Sequence, residues 1–462
     1  MSAAVRRSFA SLEVRNYRLY FGGQAVSLAG NWMQIVAELW LVLTLTGSGL
    51  AVGLATALQF AGILLFGALG GALADRFDKR RLLMVSQTGM AVPATLLFAV
   101  TALGVVEAWM LFVVIALRGL VLAIDNPARQ AFVIEIVGPD RVVNAVSLNS
   151  VLVHSARIVG PAIAGVIIAL SGVAPCFGLN ALSFAAMLVA LTRMDPTRLQ
   201  RPNPDEPRGS IRDALGHIAG HRELRIPLLL MLVLSTIGFN FQVVLPLLAD
   251  RAFSGQVSAY SMLMVAMGVG SITGALTVGT RSRVSRELIT LAAAGFGVTA
   301  LLAAAAPTLA LAMLALGLLG ICSVTFAAGI NSGLQLAAAP EMRGRVMAVY
   351  SIVFLGSTVV GGPITGWLGE AVGPRAPLVA AGLAGLAVAA GAYVAWSARS
   401  GTAPVTGELM LEPGTGELSL AAAQSAPVRA VARVRHAHPI RTARQRIRGD
   451  GRSRDRREHA RR

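Results

Sequence analysis

The sequence predicts an all-α membrane protein with twelve transmembrane helices in two pseudo-symmetric six-helix bundles. Three observations carry this reading. Hydrophobic residues make up 55% of the 462 positions and charged residues only 14%, whereas a soluble domain carries roughly 25% charged residues. Nearly uncharged stretches long enough to cross a bilayer recur from Tyr17 to Trp396. Short motifs also repeat at offsets of 202 or 203 positions, as a duplicated six-span unit requires.

The spans are read at 17–45, 50–74, 82–104, 107–125, 144–171, 174–192, 225–249, 258–280, 287–305, 308–334, 346–369 and 376–397. Several exceed the ~20 residues needed to cross, which predicts tilt or extension beyond the bilayer. The loops between them alternate in charge. One set carries Arg76, Lys79, Arg80 and Arg81, then Arg129 and Arg141, then the Arg-rich stretch 193–222, then Arg281, Arg283 and Arg286, then Arg343 and Arg345. The other set holds only Arg251 and Arg375. By the positive-inside rule the basic loops and both termini are cytoplasmic, which an even number of spans satisfies. The expected location is a bacterial cytoplasmic membrane.

The longest internal loop contains Pro196, Pro202, Pro204 and Pro207, and it divides the chain into a bundle at 1–192, a cytoplasmic linker at 193–224 and a second bundle at 225–397. The repeat supports the division. The run Gly70–Gly71–Ala72–Leu73 returns as Thr273–Gly274–Ala275–Leu276, and Gly160–Pro161 with Gly165 returns as Gly362–Pro363 with Gly366. After Trp396 the composition turns to Gly, Thr, Ala, Pro and Arg with no apolar stripe, so 398–462 reads as a disordered tail. The end of that tail, from Val428 on, holds +10 of the formal +17, and it is suited to anionic cytoplasmic lipid.

Several classes are excluded. Two cysteines, Cys176 and Cys322, support neither a disulfide framework, a zinc site nor a redox pair. No metal or other cofactor is implied, and the basic tail is not read as a nucleic-acid site. No Walker A loop occurs, and no nucleophile–base spacing lies near a membrane face, so neither ATP-driven transport nor enzymatic activity is expected. The N-terminus, with Arg6, Arg7 and Arg15 before a long span, does not read as a cleavable signal.

Residues 71–81 read Gly-Ala-Leu-Ala-Asp-Arg-Phe-Asp-Lys-Arg-Arg. This resembles the signature loop of the major facilitator superfamily, glycine–x–leucine–alanine–aspartate–arginine–x–glycine–arginine–arginine, with Asp78 standing where that pattern has glycine. The resemblance implies the major facilitator fold and a gating role for Gly71, Asp75, Arg76 and Arg80, together with Arg129. Physically, Gly71 would let helices approach closely, and Asp75 could pair with Arg129 or face a helix N-terminus. Residues 157–165, with Gly160, Pro161 and Gly165, resemble the Gly-Pro motif that antiporters of this superfamily carry in span 5, which implies efflux. A Gly-Pro pair also bends a membrane helix and admits close packing. Residues 16–21, 30–34, 125–132 and 144–150 resemble the branch containing enterobactin exporters and related drug exporters. The likeness covers roughly 8–397, and it is specific for the branch but not for the substrate.

Ionisable residues inside spans are costly in hydrocarbon, so each is a functional candidate. They are Glu38 in span 1, Arg118 in span 4, His154 and Arg157 in span 5, and Asp125, read as an interfacial cap, at the end of span 4. His154 and Arg157, three apart, share a helix face. Glu38 paired with Arg118 or Arg157 is the expected proton-coupling couple, because a carboxyl near arginine in a dry site has a tunable affinity for protons. The alternatives are a static ion pair, an Arg118 that only binds carbonyls, and a His154 that is a satisfied polar contact. Span 4 arginine also resembles the one used in proton transfer by antiporters of the superfamily. Gln59, Asn240, Gln242 and Asn331 are expected cavity polar groups, and Trp32, Trp40, Phe60, Phe66, Phe239, Phe241 and Phe354 are available as an aromatic lining.

The reading is a monomeric secondary exporter of small organic molecules, siderophore or amphipathic drug, driven by protons through alternating access. An uptake permease is the rival within transporters, and a membrane receptor or scaffold using the tail is the rival outside them. The Gly-Pro motif discriminates against the first, and the midplane ions Glu38, Arg118 and Arg157 against the second.

Overall fold

A computed structural model describes residues 10–200, 211–253, 255–279, 285–339 and 342–397. Expectations for the tail, for residues 201–210 of the linker and for Arg281 and Arg283 fall outside these residues. The described residues fold into helices and contain no strand. We number the α-helices α1 (Arg15–Thr46), α2 (Gly49–Arg76), α3 (Lys79–Ala102), α4 (Ala108–Val137), α5 (Val142–Ser171), α6 (Ala174–Thr192), α7 (Ile211–Gly220), α8 (Arg222–Ile237), α9 (Phe241–Ala252), α10 (Val257–Gly279), α11 (Arg286–Ala305), α12 (Leu309–Ala337), α13 (Arg343–Gly356), α14 (Thr358–Ala371) and α15 (Ala376–Ser397). Twelve segments are long and apolar enough to cross a membrane. In hydrocarbon every backbone amide must be satisfied within its own segment, and the helix is the local solution.

Spans 7 and 11 differ from the sequence expectation of continuous helices. Span 7 is α8 and α9, broken at Gly238–Asn240, and span 11 is α13 and α14, broken at Ser357. By contrast α5 runs unbroken through Pro161. At the preceding Gly160 a Cβ would meet the Trp32 Cβ and the Ala29 carbonyl of α1, so the two helices pack closely there.

The two halves pair their helices alike. In the first half α2 lies on α4 and α3 on α6, and in the second α10 lies on α12 and α11 on α15. Glycines set both close crossings, with Gly62 and Gly70 against α4 and Gly270 and Gly274 against α12. Without a hydrophobic force between helices in lipid, such close backbone approach is what holds them.

Between halves, α2 packs on α14 and α5 on α10. Gly49 and Gly53 face Gly366 and Gly362, and Gly165 faces Ser261. These contacts sit toward the ends of the helices remote from the basic loops, so the halves are closed there. A polar latch adds to the closure: Glu370 Oε2 accepts from Ser48 Oγ at 2.7 Å and from the Leu50 amide at 3.0 Å. Beside it Arg251 Nη2 donates to the Gly47 carbonyl at 2.7 Å. Glu370 thus supplies a carboxylate to the N-terminal turn of α2, where helix charge favours an anion. Glu370→Gln is expected to weaken this closure by about two- to fivefold in the equilibrium. Electron–electron resonance between spin labels at exposed Leu103 and Val372 would show the longer-distance population rise, and an unchanged distribution would show that the glycine contacts alone hold the end shut.

Candidate functional site

Helix α1 carries Gln24, Ser27, Asn31, Gln34 and Glu38, spaced three or four residues apart. Such spacing places them on one face. That face turns inward, and Gln24, Ser27, Gln34 and Glu38 are buried. Two polar networks form along it.

At the end nearer the closed side, Glu38 is only 1% exposed and forms an ion pair with Arg118 of α4. Glu38 Oε1 also accepts from Gln34 Nε2 at 2.6 Å. Gln34 in turn accepts from Asn180 of α6, whose Oδ1 accepts from Ser183 Oγ at 2.8 Å. Arg118 Nη2 reaches Asn31 Oδ1 at 3.4 Å. Of the two expected partners the structure selects Arg118, not Arg157. Burying the charges is tolerable because the pair is neutral and its remaining lone pairs are hydrogen-bonded.

Toward the basic end, Asp125 corrects an expectation. It is not an interfacial cap but a buried hub, 2% exposed. Its Oδ1 accepts from Ser86 Oγ at 2.6 Å and Gln87 Nε2 at 2.9 Å, and its Oδ2 from Arg129 Nε at 2.9 Å and Nη2 at 2.7 Å. Arg129 also donates to Gln24. Arg129 is therefore engaged four residues along its own helix rather than by Asp75, which is exposed, like Arg76, at the end of α2.

The signature loop is built differently from expectation in two further respects. Asp78, in place of glycine, has an ordinary negative φ of −59° and caps α3, accepting from the Arg81 amide at 2.9 Å. A side-chain cap thus replaces the turn that glycine would give. Arg80 donates to the Leu191 and Thr192 carbonyls at 2.7 and 3.0 Å, closing the C-terminus of α6, and Lys79 pairs with Glu135 at 2.8 Å. Gly71 has open space where a Cβ would lie, whereas Gly70 abuts the Ala123 carbonyl. The close-approach residue is Gly70, one position before the one expected, because only it faces α4. Gly70→Ala should cost about 1–3 kcal/mol of stability and lower the melting temperature in detergent, while Gly71→Ala should melt like wild type.

Between the halves lies a cavity of about 690 Å³. All four expected polar residues line it: Gln59, Asn240, Gln242 and Asn331. So do His154 and Arg157 from α5, confirming that they share a face. Trp32, Phe60, Phe239, Phe241 and Phe354 contribute aromatic wall, whereas Trp40 stacks on Tyr260 elsewhere and Phe66 is outside the lining. Glu38 and Arg118 are also outside it. The span breaks explain part of this lining: Asn240, at the break before α9, and Thr358, at the break before α14, both reach the cavity. Interrupted helices at a central site are a recurring way to present backbone and polar groups to a solute. A second cavity of about 580 Å³ within the first half is lined by Gln24, Ser27, Asp125 and Arg129 and shares Asn31 and Leu122 with the first. Asn31, Gln34 and Asn180, absent from the sequence expectations, complete these sites. The polar stripe on α1 was the signal that points to the first two.

The sequence profile described as transmembrane secretion effector, of the major facilitator superfamily, matches residues 6–405. Among curated proteins, the chain is 26% identical over 264 residues to the staphyloferrin A transporter of Staphylococcus aureus, covering 56% of this chain and 66% of that protein. It is 26% identical to the enterobactin exporter EntS of Shigella boydii, covering 72% and 79%, and 22% identical to macrolide efflux protein A of Streptococcus pyogenes, covering 72% and 85%. The fold matches, at a TM-score of 0.64 and 14% identity, a bacterial homologue of the human lysosomal transporter Spinster in an inward-facing, unoccupied conformation, covering 82% of this chain and 96% of that one. With twelve segments long and apolar enough to cross a membrane, in two matching bundles around a central cavity, and a profile that spans nearly every described residue, the chain belongs to the transmembrane secretion effector family of the major facilitator superfamily.

Proposed function

We propose that the chain exports small amphipathic organic molecules, of the siderophore or drug class, by proton antiport through alternating access. In this reading the basic loops and both termini face the cytoplasm, the bundles at 1–192 and 225–397 rock about the 193–224 linker, a monomer suffices, and the tail at 398–462 rests on anionic lipid. The observation that carries the reading is the position of the Glu38–Arg118 pair. It is buried apart from the central cavity, yet Asn31 both contacts Arg118 and lines that cavity. Protonation of Glu38 would remove the charge that holds Arg118, leaving Arg118 to turn toward Asn31, so proton uptake and the state of the cavity are linked through one side chain.

Asp125 and Arg129 have the build of a conformational anchor, since their network joins α1, α3 and α4 beside the second cavity. Gly160 and Gly165 resemble the antiporter motif; Gly160 packs α5 on α1 within the first half, and Gly165 packs α5 on α10 across the boundary between the moving halves. The relatives' names, a siderophore transporter, a siderophore exporter and a macrolide efflux protein, support export. The test is a metabolite-export and susceptibility panel on a deletion strain, followed by the purified protein in liposomes with the hit compound. Accumulation inside liposomes with an acid interior, lost when the pH gradient is collapsed, is the expected result. Movement of the hit under no ion gradient, or its accumulation only with the gradient reversed, would overturn the proposal.

A further inference from the structure

We infer that the central cavity selects organic anions, a planar or aromatic body bearing one negative head group that docks on Arg157. This deepens the exporter reading and rests on it for the direction of movement, but not for binding.

The charge of the cavity is the starting observation. Among its lining residues Arg157 is the one arginine or lysine, and no aspartate or glutamate is present. The carboxylate that the sequence places at similar depth, Glu38, is taken by Arg118 behind the cavity wall. Arg157 therefore faces the cavity with no acidic partner among the described residues. Its Nε is buried and has no hydrogen-bond partner, and its guanidinium lies 5.1 Å from the centre of the Trp32 ring. One helical turn away, His154 Nδ1 is likewise buried and unpartnered.

An unpaired guanidinium in a low-dielectric site is expensive, and a single cation–π contact offsets only a small part of that cost. A ligand carboxylate or other oxyanion offers a planar guanidinium two parallel charge-assisted hydrogen bonds. It supplies the charge the site lacks. A cationic solute would meet the opposite: like-charge repulsion with no carboxylate on the wall to receive it.

The other wall fixes the body of the ligand. Phe239 stacks on Phe296 at 5.5 Å and meets Phe354 edge-on at 5.6 Å, and Tyr350 stacks on Phe354 at 6.0 Å. Phe239, Phe354 and Tyr350 line the cavity from the second half. Aromatic faces there and a cation from the first half make an amphipathic site, so an occupant with an anionic head and a flat apolar body would touch both halves at once. Asn240 Oδ1 and Gln242 Oε1, buried without partners, add neutral polar groups for hydroxyls or amides on that body.

The test uses two probes with one aromatic body and opposite heads, pyrenebutyrate and pyrenebutyltrimethylammonium, bound to purified full-length protein in detergent with no ion gradient. Energy transfer from tryptophan to pyrene reads the binding. The expected result is pyrenebutyrate binding at least about tenfold tighter than the cation. Arg157→Gln should lose that preference, and Arg157→Lys should retain part of it. Asn331→Asp, which adds a carboxylate to the wall without touching Arg157, should weaken the anion and admit the cation, and it serves if Arg157→Gln folds poorly. Equal binding of the two probes, preference for the cation, no saturable anion binding, or an Arg157→Gln protein that binds like wild type would each overturn the inference. Because no gradient is present, these outcomes leave the exporter proposal to its own liposome test.

Discussion

Glu38→Gln is expected to abolish proton-driven efflux, lowering substrate-induced proton release from everted vesicles by more than about a hundredfold, because no other carboxylate in the described spans occupies an equivalent position. The other buried carboxylates among the described residues, Asp125 and Glu135 of α4, are both held in place, Asp125 by Arg129, Ser86 and Gln87 and Glu135 by Lys79. Loss of transport in a single variant would be ambiguous. Removing Glu38 leaves the Arg118 charge buried without its partner, which costs roughly 3–5 kcal/mol. The double variant Glu38→Gln with Arg118→Gln removes both charges and should recover most of that stability, since a neutral pair of similar volume can be nearly as stable as a buried ion pair. Folding and transport then separate: the double variant should insert and melt near wild type yet release no protons. A pH-sensitive dye in vesicles, read beside thermal melting of purified protein, makes the comparison. Substrate-induced proton release by a well-folded double variant would remove the pair from the coupling mechanism.

The second large effect concerns glycines that look alike in sequence. A Cβ on Gly53 would collide with the backbone of Gly362 and lie 2.9 Å from Pro363 Cα, across the boundary between halves. A Cβ on Gly62, nine residues on, would collide with the backbone of Gly119 and lie 2.6 Å from the Leu120 amide nitrogen, inside one bundle. Backbone cannot rotate out of the way as a flexible side chain can. Gly62→Leu must therefore force α2 off α4, with a cost of about 3 kcal/mol or more and a large loss of folded yield. Gly53→Leu has another escape, since the two halves can part at that end while each stays packed. It should fold, melt within a few degrees of wild type, and lose more than about tenfold of its transport by being held open away from the basic loops. A longer distance between spin labels at Leu103 and Val372 would mark the trapped state. If Gly53→Leu keeps the wild-type distance and transports normally, the glycine contact is not part of the moving interface.

Much of the architecture was legible in the sequence. Long uncharged stretches, alternating loop charge and the repeated Gly-Pro motif lead to twelve spans and two related halves, and the twelve segments are present. The deep ions were equally visible, because a charge in an apolar run stands out. The partners were not. Glu38 was compatible with either arginine, and its pairing with Arg118 depends on how α1 and α4 are rotated against each other. The breaks in spans 7 and 11 were missed because hydropathy is insensitive to a few residues of non-helical backbone. Asn31, Gln34 and Asn180 were missed because neutral polar side chains cost less in a bundle than charges and attract less notice. Gly70 and Gly71 differ in nothing but the direction each faces.

What the sequence alone determined is the number of segments long and apolar enough to cross a membrane, and their order. Hydrocarbon imposes those features on each segment separately, since a chain that cannot bond to water must be helical and apolar wherever it crosses. What only the tertiary structure decided is which side chains meet. Arg118 and Glu38 lie 80 positions apart, and Asn180 and Gln34 lie 146 apart. Contacts of that range follow from the register and rotation of packed helices, to which hydropathy along the chain is blind. The same packing left Arg157 without an acid among the described residues that line the central cavity.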